Sequence, residues 1–348
     1  MIKTVNYLNS YCFSDFMKVF LSAISECDKK GFIEDTVKIA EKNGQEIKYF
    51  SMGDMLMNEL KSQRNVKFNP NKVLNMDEGE RAKTIESIIN KIKLELPKHE
   101  NVIISGHTTF YWNNNFTNAF DANYLHDLNP DMYITLIDNT EMIYQNINAS
   151  KQFASQKMTR DDILTWQNIE VNTTTLLSQA FNKEHYILPR RESSGLLYKI
   201  MMKPEVEVVY ASFPMSHLKT EEDKLIIDNF VKRLNEYFAV ITPRSIELSK
   251  EFTPKEGAQT VLRDENWFTG KASKIIVYYM PDKELVYSAG VAAEISKAFR
   301  TTKDVLAIFP QRNYGPFEKY YMPNMFHSED EFFKHIESQG YKKIDMKL

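Results

Sequence analysis

Short apolar runs recur along this chain, and each is followed by a longer segment whose apolar positions fall three and four apart. The runs at residues 4–8, 46–50, 101–105, 132–137, 207–211, 239–241, 274–279 and 305–309 predict strands. The segments 80–96, 160–181, 221–237 and 290–299 predict amphipathic helices. Strands alternating with helices imply an α/β protein with mainly parallel sheets. The polar stretch LPRRESSGLLYKIMMKPEVE, residues 188–207, interrupts the rhythm. A division follows: a first domain over 1–190, a linker over 191–205 and a second domain over 206–348. Each domain is expected to be a three-layer sandwich with its site at the C-terminal strand ends.

Bulk properties narrow the class. The 348 residues suffice for two cores. A net charge of −3 gives no global pull on nucleic acid or an anionic membrane. The two cysteines, Cys12 and Cys27, are too few for a disulfide framework or a cysteine zinc site. No apolar run approaches the ~20 residues a membrane span needs. The first residues lack a signal-peptide core. A cytoplasmic protein without metal or cofactor is expected.

Three blocks of the first half carry chemistry: IKYFSMGDML (47–56), NVIISGHTTF (101–110) and LHDLNPDMYITLIDNTEMIYQNI (125–147). Their order and spacing resemble archaeal-type adenylate kinase over about residues 35–181. That resemblance implies a P-loop-kinase-like fold and a nucleotide pocket bordered by Asp54, His107 and Thr108. Such a kinase needs a Gly-rich loop with Lys and Ser/Thr after its first strand. With the first strand at 4–8, the next stretch is NSYCFSDFMKVF, which has neither glycine nor a Gly-Lys-Thr run. The lid region carries a single arginine, Arg160. Phosphoryl transfer depends on positioning and charge neutralisation, so the domain is expected to lack kinase activity. Gly53-Asp54 also fits a plain turn and cap.

In the second half, AGVAAEISKAF places Glu294 among Gly290, Val291 and Ala298 on one helical face. A lone carboxylate among small residues leaves room for a ligand. The blocks VYYMPD, AGVAAEISKAF and KDVLAIFPQRNYG, within residues 206–315, resemble the nucleoside 2-deoxyribosyltransferase family and its relatives that hydrolyse nucleoside monophosphates. The resemblance implies a Rossmann-like, flavodoxin-like domain. It also implies Glu294 as the nucleophile, Asp264 facing the base, and Asp282 at base or sugar. Breaking a C1′–N bond develops oxocarbenium-like charge that a carboxylate can stabilise or capture. Ser288 stands where the family has an aspartate that binds sugar hydroxyls. Ser212, Phe213, Ser288 and Gly290 are the expected substrate contacts. Ser216, His217 and Lys219 are candidates for a 5′ phosphate. Asp264 beside Arg263 also fits an ordinary ion pair, and Trp267 fits core or interface.

The implied function is cleavage or transfer at the N-glycosidic bond of a nucleoside or nucleotide, with the kinase-like half as a binding or structural module. The alternatives are a non-catalytic nucleotide sensor and, third, a nucleotide phosphotransferase. The expected partner is a small nucleoside or nucleotide, and the family resemblance implies a homo-oligomer.

Overall fold

A computed structural model describes residues 17–64, 71–119, 121–193, 195–246, 252–281, 288–311 and 314–348. The expected strand at 4–8 lies outside these residues. The first described strand, β1 (Met17–Ser22), leads into α1 (Lys29–Lys42), β2 (Lys48–Ser51), α2 (Met52–Arg64), α3 (Asn71–Leu74) and α4 (Glu78–Glu95). Next come β3 (Asn101–Gly106), the hairpin β4 (Thr109–Trp112) and β5 (Asn115–Asn118), α5 (Ala122–Leu128), β6 (Met132–Ile137), α6 (Thr140–Ala149), α7 (Arg160–Ala180) and β7 (Glu184–Pro189). These strands form a parallel sheet in the order β2-β3-β1-β6-β7, with the hairpin apart.

The second half holds α8 (Gly195–Met202), β8 (Val208–Ser212), α9 (Glu221–Leu234), β9 (Ala239–Ile241) and α10 (Pro254–Leu262). A π-helical turn (Arg263–Phe268) joins α10 to α11 (Thr269–Lys271) and β10 (Lys274–Tyr278). The chain ends through α12 (Ala289–Arg300), β11 (Asp304–Ile308), α13 (Pro316–Tyr321), β12 (Asn324–Phe326) and α14 (Glu329–Ser338). The second sheet is parallel in the order β12-β11-β10-β8-β9. In chain order that is the flavodoxin-like arrangement 2-1-3-4-5, whose switch point lies between its first and third strands, here β8 and β10. Among the described residues, no helix is long and apolar enough to cross a membrane.

The strands are apolar on both faces because helices cover both. On β1, Phe20 faces α2, α4 and α5, packing with Leu60, Ile88 and Ile92. Val19 and Leu21 face the other way, toward α1, α6 and α7. On β8 the alternation sends Val209 and Ala211 toward α9 and α14. Val208 and Tyr210 join the same core as Val19. One core therefore runs from the first sheet to the second.

The segment expected as a linker contains α8, whose sequence GLLYKIMM is apolar on every side and buried from Gly195 to Met201. Tyr198 donates to Gln45 Oε1 (2.7 Å), tying α8 to the first half. The buried Lys199 reaches the second half, donating to Asn235 O (2.5 Å), Asn235 Oδ1 (3.1 Å) and Phe238 O (2.9 Å) beyond the end of α9. Burial lowers its pKa to about 8. Lys199→Met keeps the apolar stem but strands these acceptors. The expected cost is about 2 kcal/mol, read as a fall in the urea midpoint at constant slope.

Candidate functional site

In the first sheet, β1 lies between β3 and β6, so the crevice at its C-terminal end is the topological switch point. The loop over residues 23–28 fills that point. Glu26 (φ 62) and Asp28 (φ 48) adopt the left-handed conformation that glycine favours. The next residue, Lys29, opens α1. A lysine at this place, just after a left-handed loop residue and at a helix start, occupies the position of the P-loop lysine. The sequence reading looks for the motif after a strand at 4–8; the central strand of the described sheet is β1, and the loop after it, residues 23–28, likewise has neither glycine nor a Gly-Lys-Thr run. Residue 30, where the motif has a magnesium-ligating hydroxyl, is Lys30, paired with Asp54 (2.8 Å). An ammonium does not ligate a cation, so the residues here do not fit that metal.

Lys29 is folded back into the crevice. Its Nζ donates to Gly106 O (2.6 Å) and Ala23 O (3.3 Å) and lies 3.2 Å from His107 Nε2. Burial lowers the Lys29 pKa to about 8, against the opposing pull of Glu170. Burial, then the Lys29 charge, holds His107 well below its usual range, so the imidazole is neutral. Glu170, fully buried on α7, accepts from Thr108 N (2.7 Å), Thr109 N (2.9 Å) and Thr109 Oγ1 (2.6 Å). Thr108 therefore holds the turn after β3 through Glu170, and His107 alone of that pair lines a cavity.

That cavity, about 180 Å³, is walled by Met52, Leu56, Ile85, Ile88, Phe110 and Phe153, with Ser25, His107 and Gln152 as its polar groups. Asp54 sits outside it, more than half exposed. Three consecutive residues after β7 brace the crevice and its neighbour. Arg190 pairs with Asp28 (2.5 Å), Arg191 with Asp138 at the end of β6 (3.2 Å), and Glu192 accepts from Thr242 N (2.6 Å) after β9. None of these three was singled out from sequence, because RRE in a polar run carries no periodicity.

The second-half carboxylates come together only in part. Glu294 is 7 % exposed and lies on α12 against β10 and β11. Its Oε1 accepts from Tyr210 Oη (3.0 Å), and its Oε2 from Ser212 Oγ. Tyr210 and Ser212 are two apart on β8, so they share the face toward α12. Burial raises the Glu294 pKa to about 8, opposed by the Ser212 bond and abetted by the Asp264 charge. The solvated Glu294–Lys297 pair is not formed among the described contacts.

Asp264 is bound at both oxygens by Arg263 (2.7 and 3.1 Å) inside the π-helical turn, a geometry often found at functional sites. The adjacency was legible, but the pair is buried, not superficial. Phe213, expected at a base, packs instead with Ile227 and Phe230. It follows Ser212 by one residue and so faces the opposite side of the sheet. Ser288 caps α12, accepting from Val291 N (3.4 Å). Gly290 is exposed, with only Ser288 Oγ, 4.0 Å away, near where a Cβ would project. Asp282 lies outside the described residues, as does the side chain of His217. Trp267 lines a cavity of about 40 Å³ between the halves, facing Asp138 and Gln167 of the first. Among the described residues, no cluster of three or more His, Cys, Asp or Glu could hold a metal.

No curated protein matches this chain. A sugar kinase from Janibacter sp. HTCC2649, crystallised unliganded, is a structural match at 11 % identity and a TM-score of 0.30, covering 53 % of this chain and 91 % of its own. A likeness of that degree carries no argument about activity. The resemblance of residues 206–315 to deoxyribosyltransferases has no counterpart in these comparisons. Residues 30–166 match the family model described as an AAA domain, beginning one residue after Lys29, and the first half has a P-loop-kinase-like fold.

Proposed function

We propose that the protein binds a nucleotide in the crevice of its first half, on a frame of the phosphotransferase class. Lys29 is its phosphate lysine, and the apolar cavity beside His107 seats the base. One observation carries the reading: a buried ammonium at the start of the helix after the central strand, folded onto the loop and onto the turn that lines the cavity. The family match over residues 30–166 supports it. Most of the cavity wall is aliphatic or aromatic, as base-binding pockets are, with a few polar groups for orientation. Phosphoryl transfer is the reaction class of this frame, although Lys30 in place of a hydroxyl removes one usual metal contact. The test is calorimetric titration with adenosine, AMP and ATP, with ADP formation followed in the same samples. Binding of any of them at micromolar to low-millimolar concentration is expected. No heat from any of the three, with the protein folded by circular dichroism, overturns the reading.

A second reading keeps N-glycosidic chemistry at Glu294. It is favoured by one observation: this perturbed carboxyl sits at the β8–β10 switch point, where ligands of this strand order bind. Chromatography of nucleosides and nucleotides incubated with wild type and Glu294→Gln tests it. Absence of free base, or release that the substitution leaves unchanged, rules it out.

A further inference from the structure

The crevice loop carries its own anion. Asp28, in the left-handed conformation that Asp tolerates better than most side chains, accepts from Gly31 N (3.2 Å) at the start of α1. Its other oxygen takes Arg190 Nη2 (2.5 Å), and its carbonyl takes Arg190 Nε (3.1 Å). The seat is shaped for that carboxylate. A Cβ on Gly31 would lie 2.7 Å from Asp28 Oδ2 and 2.8 Å from Oδ1, so a side chain there would push the carboxylate off this position. The Arg190 guanidinium is held in turn over the Phe32 ring, 5.7 Å from its centre. A helix N-terminal amide, a left-handed loop residue and a guanidinium are what a chain of phosphates would engage at this point of such a fold. Here a side chain of the protein engages them first. Glu26 adds a second acidic residue to the same loop.

We propose that Asp28 sets the charge of the ligand: it occupies the anion seat beyond Lys29 and so restricts the crevice to nucleosides and nucleoside monophosphates, excluding di- and triphosphates. This rests on the nucleotide-binding reading above. Lys29, held against Gly106 and His107 of the cavity wall, remains to meet one phosphate, while a second or third would have to displace the Asp28 carboxylate from Arg190 and would face its charge.

The experiment is a titration series with adenosine, AMP, ADP and ATP at fixed ionic strength, on wild type, Asp28→Asn and the double variant Asp28→Asn/Arg190→Gln. Asn keeps the left-handed preference and an oxygen for Gly31 N while removing the charge. Wild type should bind adenosine or AMP more tightly than ADP or ATP. Asp28→Asn should bind ATP at least about tenfold more tightly than wild type does, with adenosine changed less than about twofold. The double variant should lose that gain. Wild-type affinity that rises with each added phosphate overturns the proposal, and needs no variant to fold. An Asp28→Asn protein that melts like wild type yet discriminates as wild type does also overturns it. Both results leave nucleotide binding standing. If no member of the series binds wild type or variant, the nucleotide reading itself fails.

Discussion

Lys29→Met should lower AMP affinity about a hundredfold, close to 3 kcal/mol, while adenosine affinity changes only a few fold. Met retains the four-atom stem that packs in the crevice, so the substitution removes the charge and little volume. The ammonium lies 2.6 Å from the carbonyl of Gly106, which lines the cavity. A charge-assisted bond to phosphate is worth about 1.5–3 kcal/mol, and the low local polarity puts this one at the upper end. pH gives an independent check. Burial has brought the Lys29 pKa down to about 8, and the binding form is the cation. AMP affinity should therefore fall as pH rises through about 8, and Lys29→Met should show no such fall. Equal losses for adenosine and AMP would mean a general disturbance of the crevice. An unchanged AMP affinity would remove Lys29 from the phosphate site. The same substitution strands the carbonyls of Gly106 and Ala23, so a cost of about 2 kcal/mol is expected, as for Lys199→Met, and the titrations are read on protein still folded by circular dichroism.

The lysine stayed hidden in the sequence for a definite reason. TVNYL and MKVFLS are both short apolar runs, and only the sheet shows that the second is the central strand. The loop behind it lacks the glycines that usually mark its shape, since Glu26 and Asp28 take the left-handed positions. Regular elements with clear periodicity were legible: β3, β6, β9 and α7 fall within a residue of their predicted bounds. α8 was not, because a short helix buried on all sides from Gly195 to Met201 shows no amphipathic period.

Glu294 was legible because a charge among small apolar residues is conspicuous. The period of two along β8 puts Tyr210 and Ser212 on one face and Phe213 on the other, but that the first face meets Glu294 only the fold shows. What sequence could not express was the balance between burial and hydrogen bonding around the carboxyl, since that depends on contacts between residues 82 and 84 apart.

That balance yields the largest stability effect expected in this protein. Glu294→Gln should leave stability nearly unchanged at pH 4.5 and raise it by about 3–5 kcal/mol at pH 8. The sign follows from the proton count. In the unfolded chain Glu294 ionises near 4.5, whereas in the fold it holds its proton up to about 8. Between those values the native state carries the extra proton, so wild type loses stability as pH rises, at about 1.4 kcal/mol per pH unit. Glutamine has no proton to lose, and its amide can stand in for the protonated carboxyl toward Ser212 and Tyr210. In a chain of this size the gain corresponds to roughly 4–7 °C in melting temperature at pH 8. Thermal melts of both proteins from pH 4.5 to 8 measure it. A gap that stays constant across that range would mean a carboxylate ionised in the fold and ready to attack a sugar carbon. A gap that widens as described means an acid that is neutral at pH 7. A neutral acid cannot act as nucleophile until it loses its proton, so any release of base through Glu294 must then climb with pH toward 8. Stability and turnover therefore report on the same proton, and a base-release rate that is flat over this range alongside a widening stability gap would separate Glu294 from the chemistry.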